Sequence, residues 1–112
     1  MIDTIVLTDL EHRYVGIDML GHAGLADNHQ EGQELVCSAV SALVLNMANS
    51  VEYFTEDTFE AEEVEETGKF SFRFTGQISS QSKLLINSLV FGLLNIEEEY
   101  GEPYIKIRFK EV

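Results

Sequence analysis

Five segments of the chain alternate apolar and polar side chains with a period of two residues, and this pattern predicts β-strands. The five predicted strands are residues 2–8, 13–20, 58–65, 69–75 and 104–110. Residues 9–12 separate the first two strands and residues 66–68 the next two, so each pair is expected to form a hairpin. In the fourth strand Phe70, Phe72 and Phe74 point the same way, which is typical of a sheet face buried under helices.

Two longer segments, at about 33–51 and 79–100, repeat their apolar side chains with the period of an α-helix. The first helix has one apolar stripe, made of Val36, Val40, Leu43, Met47 and Val51. The second is apolar on almost every side, because Leu84, Phe91 and Leu94 widen its stripe. A helix of this kind is enclosed on more than one side, so we expect the sheet on one side and a second subunit on the other.

The elements follow one another in the order ββαββαβ. This order predicts a single α+β domain over residues 1–112, in which one sheet is packed by two helices. Residues 21–32, before the first helix, have no periodicity and are predicted to form a long loop, which is often functional. We expect residues 23–33 to be mobile when no ligand is bound.

The chain is acidic, with a formal net charge of −13 at pH 7 over 112 residues. A surface of this sign repels nucleic-acid phosphates, so direct binding of RNA or DNA is not expected, whereas a basic protein would be attracted. Acidic residues are concentrated between positions 52 and 66: Glu52, Glu56, Asp57, Glu60, Glu62, Glu63, Glu65 and Glu66. They indicate either a solvated strand edge that charge keeps unpaired or a docking face for a basic partner.

The sequence also bears on where the protein works. No continuous apolar run approaches the roughly 18 residues that a membrane-spanning helix needs, so no membrane partner is expected. The first residues lack the basic and then apolar regions of a secretory signal, so a cytoplasmic protein is expected. The one cysteine, Cys37, cannot form an internal disulfide, and a reducing compartment would keep it as a thiol.

Cys37 lies near the predicted start of the first helix, and His22 lies where the second strand is predicted to end. A helix N-terminus favours the thiolate over the thiol, and an imidazole within reach can take the thiol proton. Backbone N–H groups at the helix start could then hold an oxyanion. A strand-end histidine and a helix-start cysteine together indicate a nucleophilic dyad.

Two other interpretations of these residues stay open. Cys37 could be a small apolar side chain packed in the core. It could also bind zinc, with His22, Asp27 and His29 as the other ligands. No closely spaced pair such as His-x-x-x-His or Cys-x-x-Cys is present, which disfavours the metal site.

Several short motifs follow one another in an order that one known family shares. They are Gly-His-Ala at 21–23, Gly32, Val-Cys-Ser-Ala-Val-Ser-Ala at 36–42, and Ile-Glu-Glu-Glu-Tyr at 96–100. In these motifs, and in length and element order, the chain resembles the ribosomal-processing cysteine proteases, called Prp. The resemblance implies a homodimeric, cytoplasmic cysteine peptidase that removes a short N-terminal extension from large-subunit ribosomal protein number twenty-seven.

The resemblance also implies roles for individual residues. Cys37 matches the nucleophile, and His22 matches the general acid and base. Ser41 and Ser38 belong to the motif that supports the site, and Glu34 stands where relatives often have Asp.

The segment between the two dyad residues contains Gly24 and Gly32 and is a few residues longer than the family pattern, and we expect it to shape access of the substrate. The implied mechanism needs no cofactor and no metal. A hypothesis of another class is a non-enzymatic acidic adaptor that binds a basic ribosomal protein during assembly. The two hypotheses differ in whether Cys37 is required.

Overall fold

The computed structural model describes residues 1–21, 31–101 and 104–112. The elements along the described chain are β1 (Ile2–Thr8), β2 (Tyr14–Leu20), α1 (Glu31–Phe54), β3 (Phe59–Val64), β4 (Lys69–Phe74), α2 (Ser80–Tyr100) and β5 (Ile105–Glu111). The predicted ββαββαβ order and the α+β class are therefore confirmed.

All of these strands belong to one sheet, in the order β3-β4-β2-β1-β5. The two predicted antiparallel hairpins are present, and β2 pairs with β4 to join them. β5 returns to the other side of β1 and runs parallel to it. Local alternation predicts the hairpins, but it does not predict the pairings of β2 with β4 or of β1 with β5, because these join segments far apart in the chain.

Both helices pack on one face of the sheet, and the side chains between the two layers form the core. Phe70, Phe72 and Phe74 of β4 are buried there, as their alternation predicts. The buried stripe of α1 consists of Val36, Val40, Val44, Met47 and Val51. Leu43, expected in this stripe, is only partly buried at its edge, because Val44 occupies the position over the sheet.

Polar and small residues define the two ends of α2. The Ser79 hydroxyl accepts a hydrogen bond from the N–H of Ser82 at 3.2 Å, and Gly101 ends the helix with a φ of 58°, which glycine adopts readily. Leu84 and Phe91 are 70% and 68% exposed in the single chain. The side of α2 that we expect a second subunit to cover is therefore open.

The Gln33–Phe54 part of α1 is long and apolar enough to cross a membrane, judged by length and composition alone, and its most apolar window has a mean hydropathy of 1.4. Polar residues such as Ser41, Asn46 and Asn49 interrupt it, which is why the sequence shows no continuous apolar run. The packing of one side of this helix over the sheet accounts for its apolar composition.

The two edges of the sheet differ in their surroundings. At β5, the N–H of Ile107 donates to Glu97 Oε2 of α2 at 2.6 Å, so a carboxylate occupies part of this edge. At β3, five of the six side chains are exposed, and Glu60, Glu62 and Glu63 are among them. β3 is thus an exposed, charged edge, as both interpretations of the acidic run require.

Candidate active site

Cys37 lies in the second turn of α1. It is the seventh residue of the helix, because α1 begins at Glu31, two residues earlier than the periodicity predicts. Its side chain is partly buried against the core and also lines a cleft. A purely structural cysteine would be enclosed on all sides, whereas this one is accessible from the cleft.

The cleft has a volume of about 290 Å³ and lies between the N-terminal half of α1 and the end of the sheet that carries the β3–β4 turn. Its apolar lining consists of Ile2, Met19, Val40, Val44, Leu45, Val64 and Phe70. Its polar side chains are those of Cys37, Ser41, Glu63, Glu65 and Lys69. A cleft of this size, near the lower limit for small-ligand sites, can hold one or two amino-acid side chains.

Two glycines hold the end of β2 against the β3–β4 turn. Gly21 has a φ of 99° and Gly68 a φ of 68°, and both conformations favour glycine. The N–H of Gly21 donates to the Thr67 carbonyl at 3.2 Å, and a Cβ atom on Gly68 would collide with the main chain of Gly21. Gly21 lines the cleft and is the residue that precedes His22 in the sequence.

The predicted supporting residues lie at different places on the surface of α1. Ser41 is one helical turn after Cys37 and lines the same cleft. Glu34 is exposed and lies about one turn before Cys37, on the same side of the helix. Ser38 is exposed and is turned about 100° further round the helix. The structure thus brings Ser41 to the cleft with Cys37 and leaves Ser38 to one side.

The predicted loop before α1 ends earlier than expected, because residues 31–33 are helical and Gly32 lies in the first turn. A glycine costs a helix only about 1 kcal/mol, which burial of the apolar stripe that follows can offset. His22, Gly24 and the rest of the segment predicted to be mobile lie outside the described residues.

The early start of α1 changes the chemistry expected at Cys37. The first N–H groups of a helix lack partners within it, and among the described residues these are the N–H groups of residues 31–33. The N–H of Cys37 lies within the helix, so it is not one of the oxyanion donors expected at the helix start. Because Cα–Cβ bonds in a helix tilt towards its N-terminus, the Cys37 side chain leans towards those N–H groups. The dipole effect of a helix fades within its first turn, whereas Cys37 lies in the second.

The zinc alternative involves Asp27 and His29, which also lie outside the described residues. Within 1–21, 31–101 and 104–112, no group of three or more His, Cys, Asp and Glu side chains is arranged to hold a metal ion.

Sequence reasoning missed the wall of the cleft that β3 and its turn provide. Glu63 pairs in register with Phe70, which is buried under the helices, so Glu63 lies on the helix-bearing side of the sheet. Glu65 and Lys69 line the same cleft from the turn and from the start of β4. Alternation within β3 assigns Glu63 to this side only once β3 is aligned with β4, and spacing alone does not give that alignment.

The chain is similar to known proteins along almost its whole length. The family model described as "Cysteine protease Prp" matches residues 1–106. The ribosomal processing cysteine protease Prp of Staphylococcus aureus is 26% identical over 110 residues, which cover 98% of this chain and 100% of that protein. The Bacillus subtilis protein of the same name is 28% identical over 106 residues, which cover 91% of this chain and 92% of that protein.

Solved structures share this fold. The structure of the ribosomal processing protease Prp from S. aureus, in complex with a covalently linked product peptide, has a TM-score of 0.85 and 25% identity, and the match covers 98% of this chain and 100% of that chain. The structure of SMU.848 from Streptococcus mutans has a TM-score of 0.83 at 22% identity, and the match covers 100% of this chain and 96% of that one. At this lower identity the second likeness concerns the fold alone.

Proposed function

Because the chain belongs to the cysteine protease Prp family, we propose that it removes the N-terminal extension of large-subunit ribosomal protein number twenty-seven during ribosome maturation, with Cys37 as nucleophile and His22 as general acid and base. Family membership makes the chain a cysteine protease, and the proposal concerns its substrate and its dyad. The observation that carries the proposal is the cleft, which both Cys37 and Gly21, the residue before His22, line.

The covalent connection between Gly21 and His22 supports the dyad. The two Cα atoms lie within about 4 Å of each other, because one peptide unit joins them. The Gly21 main chain is held beside the cleft by its hydrogen bond to Thr67 at 3.2 Å. Cys37 lines the same cleft, and an imidazole within hydrogen-bond reach can take its proton.

The reaction follows the usual course of thiol acyl transfer. His22 takes the proton of the Cys37 thiol, and the sulfur attacks the scissile carbonyl carbon to form a C–S bond. We assign the positive charge near the oxyanion to the helix-start N–H groups of residues 31–33. His22 then protonates the leaving amine as the C–N bond breaks. Water, deprotonated by His22, finally hydrolyses the thioester and regenerates the thiol.

The charge of the protein suits this substrate. Ribosomal proteins are basic, and a net charge of −13 attracts a basic chain and raises the rate of encounter at low ionic strength. Glu34 lies about one turn before Cys37. We assign the activation of Cys37 to the proton acceptor His22.

The proposal includes a cytoplasmic homodimer that neither spans a membrane nor binds nucleic acid directly. Leu84 and Phe91 of α2 support the dimer, because two large apolar side chains on one helix are exposed in the single chain. Sedimentation at micromolar concentration should give twice the mass of the chain. A monomer at that concentration would leave the protease proposal intact but refute the dimer.

The direct test is incubation of the purified protein with the extended precursor of the ribosomal protein, followed by mass spectrometry. Wild type should remove the extension, whereas Cys37→Ala and His22→Ala should leave the precursor intact. His12→Asn is the matched control for the histidine variant, because His12 is exposed in the β1–β2 turn, and it should trim at the wild-type rate.

Two results would contradict the proposal. Trimming by Cys37→Ala would exclude Cys37 as the nucleophile. A precursor that wild type binds but leaves intact would favour the acidic adaptor instead.

A further inference from the structure

One wall of the Cys37 cleft is acidic. Glu63, near the end of β3, and Glu65, in the turn that follows, both line it. Glu60, by contrast, pairs in register with the exposed Arg73 and belongs to the opposite face of the sheet, where it lines a separate hollow. The acidic run of the sequence is therefore divided between two faces of the sheet, and only part of it lines the cleft that contains Cys37.

Lys69, a cation of the same hairpin that also lines the cleft, pairs with a residue of the other face. Lys69 Nζ forms an ion pair with Glu62 Oε1 at 2.9 Å. Glu62 pairs in register with Ser71, which lies between the inward-facing Phe70 and Phe72, so the ammonium group is directed to the outer side of the sheet. The positive charge of Lys69 is therefore directed away from Glu63, and the cleft side of β3 keeps its negative charge.

These observations define a site with two parts: a thiol with an apolar surface beside it, and a carboxylate wall on the far side of the cleft. We infer that Glu63, assisted by Glu65, is a specificity-determining residue that selects a substrate with a basic side chain within about two residues of the scissile bond. The inference rests on the proposed function, since it concerns the substrate of the same site. One or two side chains fill the small volume of the cleft, so the basic side chain must lie close to the scissile bond.

The expected effect is moderate and falls on binding. Both glutamates are exposed, so an ion pair with a substrate Lys or Arg is screened by water and salt. A contact of this kind is made equally before and during the reaction, so its loss raises KM and leaves kcat nearly unchanged. An exposed pair of this type corresponds to a change of up to about fivefold in kcat/KM.

The test uses fluorogenic peptides that span the cleavage junction of the ribosomal protein precursor. The two residues on each side of the scissile bond are replaced in turn by Lys, Gln and Glu. Wild type should prefer Lys to Gln and Gln to Glu at one or two of these positions, by about threefold to fivefold in kcat/KM. Glu63→Gln should remove most of this preference through KM, and Glu63→Lys should reverse it. The preference should also shrink in 0.5 M salt.

Glu60→Gln is the matched control, because it makes the same change of charge three residues away on the other face of the sheet. It should keep the wild-type preference. Equal rates for Lys, Gln and Glu at all positions, or an equal loss in both variants, would overturn the inference and leave the protease function standing.

Binding of the same peptides to Cys37→Ala, measured by calorimetry, separates this inference from the proposed function. If wild type cleaves no peptide, the proposed function fails. The acidic wall is then supported only if the Lys peptides bind Cys37→Ala more tightly than the Glu peptides and Glu63→Gln abolishes the difference. Equal binding would reject it.

Discussion

The two ends of α1 are built differently. At the N-terminal end, Cys37 faces a cleft. At the C-terminal end, hydrogen bonds tie the helix to the start of α2. The Thr55 hydroxyl donates to the Val51 carbonyl at 2.7 Å, and Asp57 Oδ2 accepts from both the N–H and the hydroxyl of Ser79, at 2.9 and 2.6 Å.

The proposed reactive residue thus lies at one end of α1, and the hydrogen bonds that stabilise the helix lie at the other end. The bonded end fixes α1 against α2, and the buried stripe of α1 fixes it against the sheet. The cleft end can then carry a reactive group and accept a substrate, because the fold does not depend on filling the cleft. Side-chain substitutions at the cleft end should therefore affect mainly activity and those at the bonded end mainly stability, whereas a change in backbone conformation at Gly21 affects both.

The largest effect is expected for Cys37→Ala. Loss of the proposed nucleophile should lower kcat/KM for the precursor by about 10⁴-fold or more. The thermal unfolding temperature should change little, because the side chain is small and only partly buried. Activity assays and thermal melts on the same sample check both statements. A drop in stability large enough to explain the loss of activity would mean that Cys37 is structural.

The next effect is expected for Gly21→Ala. Gly21 has a φ of 99°, and a Cβ atom there would collide with the carbonyl oxygen of Met1, so the end of β2 must shift. Strain of this kind costs about 1–3 kcal/mol of stability. Because the proposed proton acceptor, His22, is the next residue, kcat should also fall, by about tenfold or more, since misplaced catalytic groups are costly.

Gly76→Ala provides the comparison for Gly21→Ala, because Gly76 does not have a positive φ and lies outside the cleft. It should leave kcat at the wild-type value. If Gly21→Ala lowers stability but not kcat, the end of β2 does not position the proton acceptor.

The sequence predicts the elements of this molecule better than it predicts the cleft. Alternation and helical periodicity are local, so they reveal both hairpins and both helices and place Phe72 in the core. The cleft joins α1, the end of β2 and the β3–β4 turn, and these meet only through the pairing of β2 with β4. Cys37 could be singled out from its neighbours in sequence, but Glu63 could not, because its position depends on the register with Phe70.

At the bonded end, Ser79→Ala should lower stability and leave activity unchanged. Ser79 caps α2 through its hydroxyl, which accepts from the N–H of Ser82 at 3.2 Å and donates to Asp57. Loss of a serine cap costs about 1 kcal/mol, which lowers the melting temperature by about 4 °C in a domain of this size. Ser80→Ala, the neighbouring exposed serine, should melt like wild type. Slower trimming of the precursor by Ser79→Ala at a temperature well below its melting point would show that the two ends of α1 are coupled.

The smallest effect concerns the response of the bonded end to acid. Hydrogen bonds from the Ser79 hydroxyl, with further bonds from Ser82 and from the Ser79 N–H, lower the pKa of Asp57 below its ordinary value. Because the folded state prefers the carboxylate, this contribution to stability is complete above the ordinary Asp pKa of about 4 and is lost as the pH falls through the lower folded value. Between pH 6 and pH 3, the melting temperature of Asp57→Asn should therefore fall by less than that of wild type. Trimming of the precursor at neutral pH should stay unchanged. Glu56→Gln makes the same change of charge but keeps the Asp57–Ser79 bonds, so it distinguishes this local interaction from the general effect of net charge. An equal fall in melting temperature for Asp57→Asn and wild type between pH 6 and pH 3 would show that the bonded end is stabilised by the serine cap and not by the carboxylate.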